Sequence, residues 1–357
     1  MAAICPHPLV SPLPGLAQPL LAQEDEAALR ALYRRGTPAN TLRAWERDLA
    51  YVTAWKQAAF GKALSWPEEE GVALRFVLDH SLDLTDTPCS AQQTALALIA
   101  AGLRRSLACP APATLDRRIA SWRAFHRMRN LPSPFETPMV AQARGKARRA
   151  AARPRVPKSP RPVTREILET LLSTCDLSFR GQRDRAILML GWASGGRRRS
   201  EITGLHREDI ETEAFAETGL IWLRLLQTKT TGQGTAPRLP LKGRAARAVM
   251  DWIGATEIEE GPLFRAVSAA DRVLARGLAP DAIRIILRHR LALAGLPEDY
   301  VTPHGLRAGF LTQAALDGAP LAAAMQLSLH RSAIQAQRYY ADVEISENPT
   351  TEMLETL

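Results

Sequence analysis

Six side chains in the second half of the chain are of the types that can break a phosphodiester bond without a metal ion. They are Arg198, Lys229, His304, Arg307, His330 and Tyr339. Arginine guanidinium groups match phosphate oxygens in a bidentate geometry and stay charged at any working pH. A phenol titrates at about pH 10, so it attacks phosphorus only when a neighbouring base or cationic field helps to remove its proton. The set predicts attack by the tyrosine on a DNA phosphate that the basic groups hold.

The spacing within the motifs favours a shared site but leaves plainer explanations open. His304 stands three residues before Arg307 in Pro-His-Gly-Leu-Arg, which places both on one side of a helical turn. If a helix begins there, the unpaired backbone N–H groups of its first turn also favour binding of an anion. Taken singly, however, a His-x-x-Arg pair occurs by chance and a turn lysine such as Lys229 is usually solvated. The three arginines of Ser-Gly-Gly-Arg-Arg-Arg-Ser-Glu-Ile could equally form a surface cluster.

Taken together, the motifs resemble those of the tyrosine recombinases, the phage integrase family that includes Xer-like site-specific recombinases. The resemblance covers nearly the whole chain after residue 24 and is strongest from Thr164 to Tyr340. In the family, the first catalytic arginine stands two residues before a small residue that is followed by an acid. This pattern implies Arg198, which precedes Ser200 and Glu201 in that way.

The same resemblance implies which of two adjacent tyrosines is the nucleophile. The family interval of nine residues after the last histidine leads from His330 to Tyr339. Adjacent helical residues point about 100° apart, so only one of the two can face the phosphate, and Tyr340 is left to packing or DNA contact. Leu329 replaces the glycine that usually precedes this histidine. Because leucine does not readily adopt a positive φ, we expect the turn to differ locally.

The roles that the family assigns to the other residues complete a mechanism. The two arginines supply a cationic field, His304 acts as the base, and Lys229 reaches the minor groove from its hairpin to protonate the leaving 5′ oxygen. His330 donates a hydrogen bond to a non-bridging oxygen. Glu201 matches a frequent family acid that supports the site, although an ordinary helix acid explains it nearly as well. Attack would leave a 3′-phosphotyrosyl link and a free 5′ hydroxyl.

Periodicity predicts a mainly α fold with a small β-hairpin or sheet in the C-terminal domain. Asn40 and Thr41 can cap a first helix whose apolar residues recur at spacings of three and four. A second clear helix is predicted for residues 114–131, where prolines stop it. Short apolar or alternating runs at 219–226 and 236–241 predict the hairpin.

The resemblance also implies a helical core-binding domain and a tyrosine-recombinase catalytic domain that together form a clamp on DNA. The predicted parts are a flexible N-terminal tail at 1–23, a helical core-DNA-binding domain at 24–150, a basic proline-rich linker at 151–163, a catalytic domain at 164–345 and a C-terminal tail at 346–357. Because proline restricts the backbone, the second half of the basic stretch from Arg144 to Arg165, which contains the linker, should be extended rather than helical. An ordinary charged linker is the alternative. The C-terminal tail is expected to dock on a neighbouring protomer.

The charge of the chain favours a polyanionic partner. Its 357 residues carry a formal net charge of +9, although a solubilising surface is the plainer explanation. Two basic regions are candidates for phosphate contact. The alternative is a solvated face for the helix and an ordinary charged linker for the other region. The DNA-binding residues predicted there are Arg117, Arg118, Arg123 and Arg127 on the second helix, and Arg148, Arg149, Arg153, Arg155 and Lys158 in and before the linker.

Several classes of protein do not fit the sequence. The four cysteines lie far apart with no Cys-x-x-Cys pair, which indicates free thiols in a reducing compartment. No paired carboxylates have magnesium-site spacing and no phosphate-binding P-loop is present, so neither a metal nor a cofactor is expected. Prolines interrupt the apolar N-terminal stretch, which argues against a signal peptide, and no apolar run has membrane-spanning length. The predicted location is the bacterial cytoplasm, in association with the nucleoid.

The expected function is site-specific DNA recombination through a 3′-phosphotyrosyl intermediate and a Holliday junction. The resemblance implies double-stranded recombination sites as the partner and a homotetramer that holds two duplexes. Two other classes stay open. One is strand cleavage without synapsis, as in type IB topoisomerases, and the other is a DNA-binding regulator of the same fold that does not cleave.

Overall fold

Two separate hydrophobic cores organise the chain. The computed structural model describes residues 23–86, 88–151, 158–226 and 236–346. It divides into two units, Met1–Pro154 and Arg155–Leu357, and the division falls inside the segment predicted as a linker. Some predictions fall outside the described residues, namely those for Lys229, Arg153, Arg155, residues 1–22 of the N-terminal tail and residues 347–357 of the C-terminal tail.

The first unit is helical, and the helix predicted to be capped by Asn40 or Thr41 begins slightly earlier than predicted. Its helices are α1 (Gln23–Gly36), α2 (Ala39–Phe60), α3 (Glu70–Asp79), α4 (Ser90–Ala100), α5 (Pro112–Met128) and α6 (Pro138–Ala150), with a 3₁₀ turn at Pro134–Glu136. The Pro38 carbonyl accepts a hydrogen bond from the Thr41 amide at 2.8 Å and so closes the first turn of α2. The Asn40 side chain accepts from Arg43 instead. The predicted cap at Asn40 or Thr41 is therefore wrong, because a proline outside the helix supplies the extended entry.

Aromatic rings fill the core of the first unit. Trp55, Phe76 and Trp122 are buried, and their centroids lie 4.8 Å apart for Trp55–Phe76 and 5.3 Å apart for Phe76–Trp122, in edge-to-face geometry. Each such pair contributes about 0.5–1.5 kcal/mol beyond the burial of its area. The Trp55 indole N–H donates to Asp79 Oδ2 at 3.0 Å, so its polar edge is satisfied. This core holds α2 against α5.

The second unit surrounds one buried helix. Its helices are α7 (Arg165–Ser173), α8 (Phe179–Ala193), α9 (Arg199–Thr203), α10 (Phe215–Thr218), α11 (Gly243–Thr256), α12 (Ala282–Leu293), α13 (Pro303–Leu316), α14 (Leu321–Ser328) and α15 (Ala333–Ser346). Residues 186–190 of α8 are all buried, as expected for a helical segment that is apolar on every side, and α11 and α13 pack against this helix. No helix within the described ranges is both long and apolar enough to cross a membrane.

Two small antiparallel sheets lie in the second unit. Their strands are β1 (Ile210–Glu211), β2 (Leu220–Arg224), β3 (Arg238–Lys242), β4 (Arg265–Val267) and β5 (Val273–Gly277). The predicted hairpin is confirmed, because β2 pairs with β3 from Leu220 opposite Lys242 to Arg224 opposite Arg238. The sequence does not predict β1 beside β2 or the separate β4–β5 pair. Strands β1 and β4 have only two and three residues, and the five residues of β5 show no alternation of buried and exposed side chains.

Residues 158–163, here called the strap, pack on the second unit. The Ser159 hydroxyl accepts a hydrogen bond from the Thr302 amide at 2.9 Å, immediately before α13 begins. The Val163 carbonyl accepts from the Trp192 indole of α8 at 2.7 Å. Gly309 of α13 allows this approach, because a Cβ there would lie 1.8 Å from the Val163 carbonyl oxygen. The strap is not helical, as predicted for this half of the linker, and it contacts both α8 and α13.

Candidate active site and nucleic-acid interface

Five of the six predicted catalytic residues lie in the second unit, on segments that contact one another. Arg198 immediately precedes α9, His304 and Arg307 belong to α13, His330 follows α14, and Tyr339 lies on α15. The sixth, Lys229, belongs to the residues between β2 and β3 that the structure does not describe.

A pair of glycines brings the first motif against the other two. Gly195 and Gly196 have φ values of +100° and +73°, which L-residues with a Cβ rarely adopt. A Cβ on Gly196 would lie 2.3 Å from the Cα of Arg307, and one on Gly195 would lie 2.3 Å from the carbonyl carbon of Leu327. The Gly196 carbonyl also accepts from Arg307 Nη1 at 3.0 Å. The chain therefore enters Arg198 from a turn that fits between α13 and the end of α14.

Glu201 holds Arg198 in place. Its carboxylate is buried and accepts from Arg198 Nη1 at 2.6 Å and from the Arg198 amide at 3.1 Å. Hydrogen bonds between charged groups are shorter and stronger than neutral ones. Of the two roles predicted for Glu201, this geometry favours support of the site over that of an ordinary helix acid.

The hydroxyl of Tyr339 lies 3.1 Å from His304 Nε2, within hydrogen-bond reach. Burial lowers the pKa of His304, and the nearby cations Lys158, Arg307 and Arg198 lower it further. At neutral pH the imidazole is therefore neutral and can accept a proton. This pair has the geometry of a nucleophile and its base.

Tyr340 faces the interior instead. It is 4% exposed, and its hydroxyl donates to the Ala319 carbonyl at 3.1 Å. Its ring packs with Leu311 and Ala324 in a small cluster beside α15. This placement agrees with the packing role expected for Tyr340 and leaves Tyr339 as the tyrosine beside the basic groups.

Arg307 and His330 form a second pair at the site. Arg307 is 5% exposed, and its Nε donates to His330 Nε2 at 3.2 Å, while Ser328 Oγ lies 2.8 Å from His330 Nδ1. Burial lowers the pKa of His330 to about 4, with the charges of Arg307 and Arg198 adding to the effect. Burial, followed by the Arg198 charge, lowers the pKa of Arg307 to about 10. At neutral pH the arginine is charged and the histidine is neutral. Because both ring nitrogens of His330 lie 3.2 Å from Arg307, donation to a phosphate would require the phosphate to replace one of these contacts.

Leu329 corrects one expectation. It adopts φ 54° and ψ 40° as the cap of α14, so the turn keeps the left-handed conformation that a glycine would use. For a leucine this conformation costs about 1–2 kcal/mol. The side chain is half-buried and packs against the core of the second unit, which offsets the cost. The expected local difference in the turn is therefore wrong, because packing outweighs the backbone preference.

Five arginines line a groove of about 860 Å³ in the first unit. They are Arg47, Arg104, Arg105, Arg117 and Arg118. The guanidinium of Arg118 lies 3.3 Å from the centroid of the Tyr51 ring, and Arg117 pairs with the buried Asp48 of α2. Arg104 donates to the carbonyls of residues 106, 107 and 108. These contacts orient Arg104, Arg117 and Arg118, and Asp48 is the one carboxylate among the residues that line the groove.

The remaining predicted DNA-binding residues that the structure describes differ in exposure and in ion pairing. Arg123 pairs with Glu136 at 3.0 Å, whereas Arg127 on the same helix is exposed. The arginines at 148 and 149 are exposed in the last turn of α6, and Lys158 is exposed in the strap, where its charge acts on His304.

Sequence reasoning missed several residues at these sites. Arg104 and Arg105 lie in the loop before α5, and their adjacent positive charges were the available signal. Ser328 was signalled only by standing two residues before His330. The sequence leaves Arg197 in a cluster of three arginines that could lie at the surface, but its side chain is 1% exposed. No three His, Cys, Asp or Glu side chains in the described part of the chain come together as a metal site requires.

Known proteins resemble both the sequence and the fold. The sequence model described as the phage integrase family matches residues 162–345. The chain is 30% identical over 182 residues to "Integrase/recombinase xerD homolog" of Selenomonas ruminantium, covering 48% of this chain and 52% of that protein. It is 28% identical over 329 residues to "Tyrosine recombinase XerC" of Pelobacter propionicus, covering 90% and 91%. The chain thus spans about half of the first relative and nearly all of the second.

Solved structures share the fold at low identity. The Tn1549 transposon integrase, in complex with circular intermediate DNA, matches with a TM-score of 0.54 and 16% identity, covering 89% of this chain and 97% of that one. A lambda integrase dimer bound to a core site matches with a TM-score of 0.51 and 14% identity, covering 88% and 93%.

Proposed function

Because this chain belongs to the phage integrase family, we propose that it is a tyrosine-type site-specific DNA recombinase. The observation that carries this proposal is the 3.1 Å contact between the Tyr339 hydroxyl and His304 Nε2, beside the guanidinium groups of Arg198 and Arg307. A nucleophile, its base and two phosphate-binding cations are the parts that phosphoryl transfer to a protein side chain requires. The relatives that carry recombinase names support the same class.

Cleavage begins when Tyr339 attacks the scissile phosphorus. The new bond joins the tyrosine oxygen to phosphorus as the bond to the 5′ oxygen breaks, and the phenol proton passes to His304 Nε2. Lys229 donates a proton to the departing 5′ oxygen, in the role that the family implies. One phosphoester bond replaces another, so the energy needed for rejoining is retained without ATP.

The basic groups stabilise the charge that develops on the non-bridging oxygens. Arg198 and Arg307 are suited to this because Glu201 and the Gly196 carbonyl already orient them, so little reorganisation is needed at the moment of reaction. His330 completes the set when a phosphate takes the place of its present contact with Arg307. Loss of one such donor typically lowers the rate by about 100- to 1000-fold.

Double-stranded DNA is the proposed partner of both units. The arginine-lined groove of the first unit would hold backbone phosphates, and the exposed arginines at 148 and 149 would add to that surface. Recombination further requires four protomers around two duplexes and a Holliday-junction intermediate. Docking of residues 346–357 on a neighbouring protomer is part of the same proposal.

Covalent trapping tests the proposal. Sequencing of DNA that becomes covalently attached to the protein in cells supplies the site, which is then prepared as a nicked suicide duplex. The wild-type protein should form a covalent adduct, Tyr339→Phe should form none, and Tyr340→Phe should retain it. Absence of any adduct would favour a non-cleaving regulator, and adduct loss in Tyr340→Phe alone would overturn the choice of nucleophile.

A second duplex separates recombination from simple relaxation. Two labelled duplexes that carry the site are incubated with the protein, and junction molecules are resolved on native gels. Junctions that contain both labels support recombination, whereas adducts without junctions would favour topoisomerase-like cleavage without synapsis.

A further inference from the structure

Arg197 is an arginine buried directly beneath the candidate active site. Its Nη2 donates to the Leu327 carbonyl at 2.6 Å and more weakly to the Gly195 carbonyl at 3.4 Å. Its Nη1 lies 3.8 Å from Glu201 Oε2. Among the described residues, neither Nε nor Nη1 has a hydrogen-bond partner. The guanidinium is thus fully buried but only partly satisfied.

Stability alone does not explain this arrangement. Removing a charge from water is costly, and a well-packed apolar side chain of similar volume often stabilises a core as well or better. The cost is recovered only when geometry is good and every donor is paired, which is not the case for Arg197. A partly paired buried cation beside a reaction centre points to a role in that centre.

The contacts of Arg197 join two segments that carry proposed catalytic groups. Leu327 lies in the last turn of α14, and the chain reaches His330 three residues later through the left-handed turn at Leu329. A cation on this terminal carbonyl also suits the negative end of the helix. On its other side Arg197 shares Glu201 with Arg198. One side chain therefore sets the positions of the first and last basic motifs relative to each other.

We propose that Arg197 is a positioning residue that fixes His330 and Arg198 against the scissile phosphate, through the Leu327 carbonyl and Glu201. This inference rests on the proposed recombinase function. A displacement of about 1 Å in a catalytic group can cost on the order of 100-fold in rate. We therefore expect Arg197→Met, which keeps an unbranched side chain but removes the charge and the donors, to slow cleavage by about 10- to 100-fold.

Arg197 also contributes to the field at His330. The groups that face this imidazole are Arg307 and His304 from α13, Arg198 and Arg197 from the first motif, the Ser328 hydroxyl and the Tyr339 ring. Each cation disfavours the protonated imidazole. Loss of the Arg197 charge should raise the pKa of His330 from its value of about 4.

The experiment compares three variants of the full-length protein. Arg197→Met is the test, Arg197→Lys restores the charge and a donor, and Arg199→Met is the matched control because Arg199 is exposed and pairs with Asp281 at the surface. Three quantities are measured: the single-turnover cleavage rate at saturating suicide duplex, the Kd of that duplex, and the titration of His330 by NMR of labelled histidines. Thermal unfolding reports the folded state of each variant.

The expected pattern is specific to positioning. Arg197→Met should lower the cleavage rate with little change in Kd and should raise the pKa of His330, while Arg197→Lys recovers the pKa and part of the rate. The control should match the wild type. A wild-type rate and His330 titration in Arg197→Met would overturn the inference, as would a loss of stability and rate with an unchanged titration and no rescue by lysine. If the wild type forms no adduct, the recombinase proposal fails, and the His330 titration still decides the role of Arg197.

Discussion

Replacing Glu201 by glutamine tests how the site holds its first arginine. The carboxylate accepts from Arg198 at 2.6 and 3.1 Å, and glutamine keeps the shape but turns one of these acceptors into an amide donor. One charge-assisted hydrogen bond is lost, which is worth about 1.5–3 kcal/mol. If the activation free energy of cleavage rises by this full amount, the cleavage rate falls by about 10- to 150-fold, since 1.36 kcal/mol corresponds to a factor of ten.

A control for this substitution is present in the same unit. Glu169 accepts from Arg244 at 2.6 and 2.9 Å, but both side chains are about half exposed. Exposed ion pairs contribute only about 0–1 kcal/mol, so Glu169→Gln should cleave at the wild-type rate.

The assay is single-turnover adduct formation at saturating suicide duplex, with urea unfolding measured in parallel. Glu201→Gln should lose rate and up to about 3 kcal/mol of unfolding free energy. A wild-type rate for Glu201→Gln, or equal losses in both glutamine variants, would refute the role of this carboxylate.

Three further predictions follow from the pKa of the base, the groove and the strap. The cleavage rate should fall as the pH drops through the pKa of His304. Lys158→Met should move this fall to higher pH, because it removes one of the cations that lower the pKa of His304. Cleavage rates measured between about pH 5 and 8 would contradict this if the fall moved to lower pH in the variant. Arg104→Ala should weaken duplex binding, measured by fluorescence titration, and reduce the slope of log Kd against log salt concentration by about one. An unchanged slope would show that the groove does not contact DNA phosphates. Gly309→Ala should lower the free energy of urea unfolding by about 1–3 kcal/mol, because its Cβ would clash with the strap. Gly254 on α11 faces open space, so Gly254→Ala should instead raise the free energy of unfolding by about 0.5–1 kcal/mol. Equal changes in the two variants would contradict the clash.

Local pattern was enough to predict part of the site. The order and spacing of the motifs resemble those of the tyrosine recombinases, and that resemblance led to Arg198, His304, Arg307, His330 and Tyr339, while the short apolar or alternating runs led to the hairpin. These features depend on residues close together in sequence, where helical and strand periods decide which side chains share a face.

Features that depend on distant contacts could not be predicted. Arg197 is buried because its guanidinium meets a carbonyl 130 residues further along the chain. Leu329 keeps a glycine-like conformation because its side chain reaches the core of the second unit. In the groove, Arg104 and Arg105 from the loop before α5 lie beside α2, a juxtaposition that no local pattern contains.

Packing of the strap on the second unit determines where the chain can be truncated or fused to another protein. Ser159 meets the amide that precedes α13, the helix of His304 and Arg307, so residues 158–163 are part of the support of that helix. A fragment that begins at residue 164 would lack this support, although it would contain every proposed catalytic side chain. Exchange of the first unit between this chain and its relatives should therefore join the chains before residue 158, so that each second unit keeps the strap that fits its own α13.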